Sequence, residues 1–242
     1  MLLFVPAALA LDPTYAPLQH VLDAHLRDGR IDYAALKAQP AELDAWLVEV
    51  AAAPVASMAP ADRTALWIDA YNGLTLDLVA GAWPLSSIRD LDGGKVWDTR
   101  HFTVGGASLT LNELEGKLRA QGDPRVHAAL NCASKGCPPL APKVFVGATL
   151  DAQLDEAARR WAATMPLRGG VLSASNLFDW YSADFAPKFG KAAFDVPGLD
   201  GAQEAAANFV GRYAPERAEA LRKGGYTVSW APYDWGVNAV GR

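Results

Sequence analysis

The sequence predicts a mainly helical α+β domain built around a small antiparallel sheet, and three observations support that prediction. Apolar residues recur at helical spacing over residues 14–27, and residues 61–83 form a longer, almost continuously apolar segment. Short strand-like stretches lie beside glycine pairs such as Gly105-Gly106, which is typical of tight hairpins. The predicted helices and strands segregate along the chain, whereas α/β folds alternate them. The 242 residues suffice for one sizeable core.

The N-terminal part of the chain is predicted to be helical, and its last helix is the most apolar. Helices are expected at residues 14–27, 31–37, 40–53 and 61–83. The last of these is apolar nearly all round, and Pro84 follows its end. A helix without a polar face belongs in the interior, so we expect it at the centre of the domain.

The C-terminal part is predicted to mix short strands with amphipathic helices. Thr110 and Glu113 form a capping-box pattern at the start of one helix. Residues 125–132 fit either a buried strand or a short helix. The other predicted elements are a hairpin at 101–109, helices at 111–120 and 150–164, a strand at 171–172, two helices within 203–222 split near Pro215, and a strand at 225–231.

The first ten residues resemble the end of an export signal. They are mainly apolar and finish in Ala8-Leu9-Ala10, a small-x-small pattern typical of a signal-peptidase site. The alternative is a helix that packs on the domain. We divide the chain into a signal-peptide remnant at 1–10 and a single globular domain at 11–242, and we expect a periplasmic or secreted protein. No stretch approaches the ~20 apolar residues of a membrane-spanning helix.

The charge pattern argues against a nucleic-acid-binding surface. The net charge is −5, and the lysines and arginines are scattered without a basic stripe. The histidines are dispersed, and neither a set of four zinc ligands nor a glycine-rich phosphate loop is present, so we predict no metal and no cofactor. A metal site using His127, Cys132 and a carboxylate is the least favoured option, because its spacing is unusual for zinc.

Two interpretations are open for the cysteine pair Cys132 and Cys137. A disulfide is the default in an exported protein, because such compartments are oxidising. The alternative is a nucleophile at Cys132 with His127 or His101 as its base, since only the thiolate attacks.

His127 and Asn131 are predicted to point the same way, whichever element contains them. They are four residues apart and therefore share a face of a strand and a face of a helix. Cys132 shares that face in neither case. A catalytic pair of His127 and Cys132 thus requires a break in the chain, which the glycine and prolines after Cys132 would provide.

Asp69 and Asn72 form a polar stripe on the apolar helix predicted over 61–83. A buried carboxylate is costly unless it is hydrogen-bonded or paired. The functional interpretation places Asp69 in a site, with Asn72 and Asn131 as orienting or oxyanion groups. The structural interpretation is that these side chains hold neighbouring backbone, and both remain open.

Two aromatic and acidic segments are candidates for a binding wall. They are Asp179-Trp180-Tyr181 and Asp234-Trp235. A tryptophan beside an aspartate supplies contact area and direction for a sugar or a peptide. The alternative, which is the commoner role of such residues, is bracing of the core.

Together these segments resemble the family catalogued as domain of unknown function 547. The resemblance rests on residues 66–72 (LWIDAYN), 84–88 (PLSSI), 102–106 (FTVGG), 125–134 (RVHAALNCAS), 137–139 (CPP), 178–181 (FDWY) and 233–235 (YDW). It implies an exported bacterial protein or domain and carries no assigned activity. The family pattern usually has Asn where this chain has Asp69, and His where it has Gly116. The resemblance therefore strengthens the site at 127–137 and weakens any role for position 116.

The sequence supports two functional hypotheses. One is a cysteine-dependent hydrolase or acyl transferase, for which a papain- or transglutaminase-like architecture is an analogy only. The other is a non-catalytic binding module for a cell-wall or extracellular polymer, with Cys132–Cys137 as a structural disulfide. The partner would be a small molecule, a peptide or a polymer, and nucleic acid is not expected.

Overall fold

The computed structural model describes residues 11–190 and 198–241, and helices dominate it. The helices are α1 (Ala16–His25), α2 (Tyr33–Ala38), α3 (Ala41–Ala52), α4 (Pro60–Ala82), α5 (Val96–Thr99), α6 (Leu111–Arg119), α7 (Val126–Ala129), α8 (Leu150–Ala163), α9 (Leu177–Trp180), α10 (Ser182–Phe189), α11 (Gly201–Tyr213) and α12 (Pro215–Lys223). Short 3₁₀ helices lie at Val55–Ser57, Ile88–Gly94 and Gly147–Thr149. The predicted mainly helical α+β fold is confirmed.

The strands form three small sheets. They are β1 (Leu26–Arg27), β2 (Arg30–Ile31), β3 (Phe102–Val104), β4 (Ala107–Leu109), β5 (Leu167–Arg168), β6 (Val171–Ala174) and β7 (Thr227–Trp230). The pairs β3–β4 and β5–β6 are antiparallel, in line with the predicted antiparallel sheet, but β7 joins β6 in parallel. The antiparallel pair β1–β2 lies where helix was predicted up to residue 27. Between β6 and β7 the described residues form the four helices α9 to α12, and such a long crossover permits parallel pairing.

Helix α4 lies at the centre of the domain, as its apolar sequence predicts. It packs against α2, α3, α6 and α8. Gly73 permits the closest approach, since a Cβ built there would lie 2.5 Å from Cζ3 of Trp46 on α3. The central position of α4 fixes the segments packed on it, including those that build the site. Among the described residues, no helix has the length and apolar character needed to cross a membrane.

A second packing centre consists of the rings of Trp161, Phe178, Phe185 and Phe209, which we call the aromatic core. Trp161 and Phe178 stack in parallel, with centroids 4.9 Å apart and an interplanar angle of 3°. All four side chains are at most 2 % exposed. Their helices α8, α9, α10 and α11 are thereby held together behind the site.

The uncertain segment 125–132 is a short helix followed by extended backbone. Helix α7 ends at Ala129, and Leu130 has φ −90° and ψ 134°. Neither a regular helix nor a regular strand therefore runs from His127 to Cys132. The predicted signal-peptide remnant at 1–10 lies outside the described residues.

Candidate functional site

A cavity of about 210 Å³ opens where α6, α7 and α9 meet the segment 233–235. Its lining combines aromatic rings, a carboxyl group, an imidazole and both cysteines. The lining residues are Tyr71, Trp97, Asn112, Glu115, His127, Leu130, Cys132, Cys137, Pro138, Leu177, Trp180, Tyr181, Tyr233 and Trp235. Five residues predicted for a site, namely His127, Cys132, Trp180, Tyr181 and Trp235, are brought together here.

His127 lies at the buried end of the cavity, held by Asp184 of α10. Its Nε2 lies 2.8 Å from Oδ2 of Asp184, and the Arg119 guanidinium contacts the same carboxylate. The imidazole packs between Tyr181 and Phe185, at centroid distances of 4.6 and 5.0 Å. Burial lowers the pKa of His127, and the hydrogen bond with Asp184 opposes that shift. The ring is consequently neutral near pH 7.

Glu115 of α6 supplies the carboxyl group of the cavity. Burial raises its pKa, while hydrogen bonding with Tyr181 and the positive charge of Arg119 oppose the rise. A carboxyl group accepts hydrogen bonds from hydroxyl groups, which suits a ligand that carries hydroxyls. Glu115 was not predicted as a site residue. The local signal in α6 is its apolar face, which includes Leu114 and Leu118 and does not single out Glu115.

Cys132 and Cys137 are joined in a disulfide, which confirms the default interpretation of the pair. The Tyr233 hydroxyl lies 3.2 Å from each sulfur. The backbone N–H of Cys132 also donates to Sγ of Cys137 over 3.1 Å. In this oxidised state Cys132 has no thiol, so its predicted role as a nucleophile requires reduction.

The outer part of the cavity is an aromatic wall formed by Trp97, Trp180, Tyr233 and Trp235. Trp180 and Trp235 stack with centroids 6.0 Å apart and planes inclined by 17°, and Tyr233 lies 4.5 Å from Trp235. Trp180 is 46 % exposed, so one large ring remains open to solvent at the mouth. This exposure favours the predicted binding wall over a bracing role for Trp180.

The predicted acidic partners of these tryptophans do not line the cavity. Asp179 and Asp234 are exposed. Asp234 accepts a hydrogen bond of 2.8 Å from the backbone N–H of Gly236 and thereby closes its own turn. His101, the alternative base, lies in the β3–β4 region near Ser108 and is also absent from the lining.

Asn72 and Asn131 tie buried segments together. The amide of Asn72 donates to the carbonyl of Ala129 over 2.9 Å, and its oxygen accepts the N–H of Asn131. The oxygen of Asn131 in turn accepts from Ala133 and Asn238, each within 3.0 Å. These bonds fix the cysteine loop onto α4 and onto the C-terminal segment, which favours the structural interpretation of both residues.

Asp69 is likewise committed to the backbone. Its Oδ2 accepts the N–H of Phe145 over 2.9 Å. Burial raises the pKa of Asp69 well above its usual value, and this hydrogen bond opposes the shift. Asp69 is absent from the lining of the cavity, and its catalytic assignment stays a prediction.

His127 and Asn131 face different cavities, unlike the prediction that they share a face. Asn131 lines a neighbouring cavity of about 300 Å³, whereas His127 and Cys132 line the first one. The reason is the change from helix to extended backbone at Leu130. The prediction assumed that one regular helix or one regular strand runs from His127 to Asn131. Cys137 contributes to both cavities, so the disulfide loop separates them.

Within the described residues, no group of three or more histidine, cysteine or acidic side chains is placed to hold a metal ion.

Comparison with known proteins gives one match. Residues 55–161 fit the model of a family described as "Protein of unknown function, DUF547". The predicted resemblance to this family is thus confirmed over the segment that contains α4, α6, α7 and the disulfide. No curated protein and no solved structure matches the chain.

Proposed function

We propose that this domain binds a sugar ring of an extracellular or cell-wall polymer in the aromatic cavity, without catalysing a reaction on it. The observation that supports the proposal is the exposed Trp180 ring, stacked on Trp235 above a cavity that contains Glu115. An exposed, rigidly supported tryptophan over polar groups is typical of a binding site and uncommon as a surface feature.

The lining matches the two faces of a sugar. The apolar C–H face of a pyranose stacks on an aromatic plane such as Trp180, while its hydroxyls need donors and acceptors. Glu115, Tyr181 and Asn112 line the cavity and supply such groups. A volume of about 210 Å³ lies below the usual range of sites for drug-sized ligands, so it suits one ring of a polymer.

The disulfide supports the proposed location outside the cytoplasm. Bridged cysteines persist in oxidising compartments such as the periplasm and the extracellular space. A periplasmic or secreted domain would also meet cell-wall polymer directly. Finding the native protein in the soluble cytoplasmic fraction, with both thiols reduced, would contradict this location.

The binding proposal is tested by co-sedimentation with insoluble peptidoglycan. Trp180→Ala removes the exposed ring, and we expect affinity to fall roughly tenfold or more, since tryptophans often dominate binding energy. Val48→Ala is the matched control, because Val48 is 57 % exposed on α3 and absent from the lining. Equal retention of wild type, control and Trp180→Ala would contradict the proposal.

A cysteine-dependent hydrolase or acyl transferase is the second candidate. It is favoured by one observation, namely that Cys132 and His127 line the same cavity. After reduction, Cys132 would be the nucleophile and His127 the base. Iodoacetamide labelling of the unreduced protein from the export compartment, read by mass spectrometry, tests this candidate. Alkylated Cys132 would support an enzyme. Two cysteines that do not react with iodoacetamide would remove the nucleophile.

A further inference from the structure

The two sulfurs of the disulfide have unequal surroundings. Sγ of Cys137 is approached by two donors, the backbone N–H of Cys132 at 3.1 Å and the Tyr233 hydroxyl at 3.2 Å. Sγ of Cys132 is approached by the Tyr233 hydroxyl alone. Hydrogen-bond donors stabilise a thiolate, and the sulfur that leaves most readily is the one whose thiolate is best stabilised.

The two cysteines also differ in their access to the cavities. Both cysteines line the aromatic cavity, and Cys137 also lines the neighbouring cavity of about 300 Å³. A small thiol that enters past Trp180 therefore reaches both sulfurs, and the additional N–H donor to Sγ of Cys137 favours attack on Cys132. The aromatic cavity, at about 210 Å³, accommodates a single thiol side chain or a small dithiol.

We propose that Cys132–Cys137 is an exchangeable disulfide that oxidises small thiols in the aromatic cavity, with Cys132 as the sulfur attacked and Cys137 as the leaving thiolate. The incoming thiolate forms a bond to Sγ of Cys132, and the bond between the two protein sulfurs breaks. Cys137 leaves as a thiolate held by the Cys132 N–H and the Tyr233 hydroxyl, and it then takes a proton from water.

A second thiolate completes the reaction. It attacks the sulfur of the bound thiol and releases Cys132 as a thiolate, which also takes a proton from water. Two substrate thiols become one disulfide, and the protein disulfide becomes two thiols, so two electrons are transferred. This chemistry needs no polymer in the cavity and is independent of the proposed binding function.

The adduct position can be mapped directly, because trypsin cleaves after Lys135. Cys132 then lies in peptide 126–135 and Cys137 in peptide 136–143. The native protein is treated with reduced glutathione and quenched with N-ethylmaleimide at acidic pH before digestion. We expect glutathione on the first peptide and maleimide on the second. Glutathione on the second peptide would overturn the assignment.

The kinetics distinguish an exchangeable disulfide from one reduced only after unfolding. The rate of reduction of the folded protein should rise linearly with dithiothreitol concentration. A rate that saturates at the global unfolding rate would overturn the proposal, because reduction would then wait for unfolding.

The donor role of Tyr233 is tested with a matched pair of variants. Tyr233→Phe removes one hydrogen bond to the leaving thiolate and should slow reduction roughly tenfold. Tyr213→Phe removes a hydroxyl that bonds Asp155, away from the cavity, and should leave the rate unchanged. Equal rates for Tyr233→Phe and wild type would overturn the donor role of Tyr233, whereas the adduct map on the wild type decides which sulfur leaves.

Discussion

The aromatic core and the aromatic wall contain similar residues but occupy opposite sides of α9. Phe178 packs into the core and is fully buried, while Trp180, two residues later, is 46 % exposed over the cavity. His127 lies between the two clusters, in contact with Phe185 of the core and Tyr181 at the cavity. One short helix thus contributes a buried ring to the aromatic core and an exposed ring to the cavity.

The largest expected effect is on the free energy of unfolding, and it distinguishes the aromatic core from the aromatic wall. Trp161→Ala empties a position that is 2 % exposed and removes the parallel stack on Phe178. We expect it to lower the free energy of unfolding by about 3–5 kcal/mol, as for other buried aromatic truncations. Urea unfolding measures this. A loss below about 1 kcal/mol would show that the aromatic core contributes no more than the surface.

The second prediction concerns the disulfide next to the aromatic wall and its contribution to the stability of the domain. Removing the bridge with Cys132→Ser or Cys137→Ser should lower the free energy of unfolding by about 2 kcal/mol, from the entropy of the short loop it closes. Both variants should lose the same amount, and reductant should bring the wild type to their level. A wild type whose stability is indifferent to reductant would contradict a bridge that stabilises the fold.

Two carboxyl groups of the domain also differ in where they lie. Asp69 is buried in the interior, whereas Glu115 lines the cavity. Because the pKa of Asp69 is raised in the folded protein, protonation of Asp69 stabilises the folded state. This stabilisation is fully present below pH 3.8, the ordinary pKa, and is lost as the pH rises through the folded pKa. Asp69→Asn cannot ionise and keeps an acceptor for the Phe145 N–H. Relative to this variant, the wild type should lose up to about 1.4 kcal/mol per pH unit within that window.

Urea unfolding of both proteins between pH 4 and 8 measures the effect of Asp69. The exposed Asp179→Asn substitution controls for the loss of a carboxyl group at the surface. Parallel stability curves for wild type and Asp69→Asn would mean that Asp69 is ionised in the folded protein, and the argument from burial would fail.

Most elements of the fold could be predicted because their signals are local. The apolar run of α4, the capping box before α6 and the glycine pair between β3 and β4 each specify structure within a few residues. The parallel pairing of β6 with β7 could not be predicted, since it depends on how the helices between them pack.

The site was predictable in part. Trp180 and Cys132 stood out by residue type and spacing, but nothing local shows that Glu115 and Asp184 approach them from α6 and α10. The alignment of His127 with Asn131 failed because the prediction assumed one regular element. After the break at Leu130, Cys132 and His127 line the same cavity.

The most direct test of the account measures binding and stability on the same preparations of wild type and Trp180→Ala. Soluble peptidoglycan fragments are titrated calorimetrically, and each protein is then unfolded in urea. The account predicts at least roughly tenfold weaker binding by Trp180→Ala, with a free energy of unfolding within about 0.5 kcal/mol of the wild type. Unchanged binding together with a loss of several kcal/mol would place Trp180 with the aromatic core and contradict a binding wall.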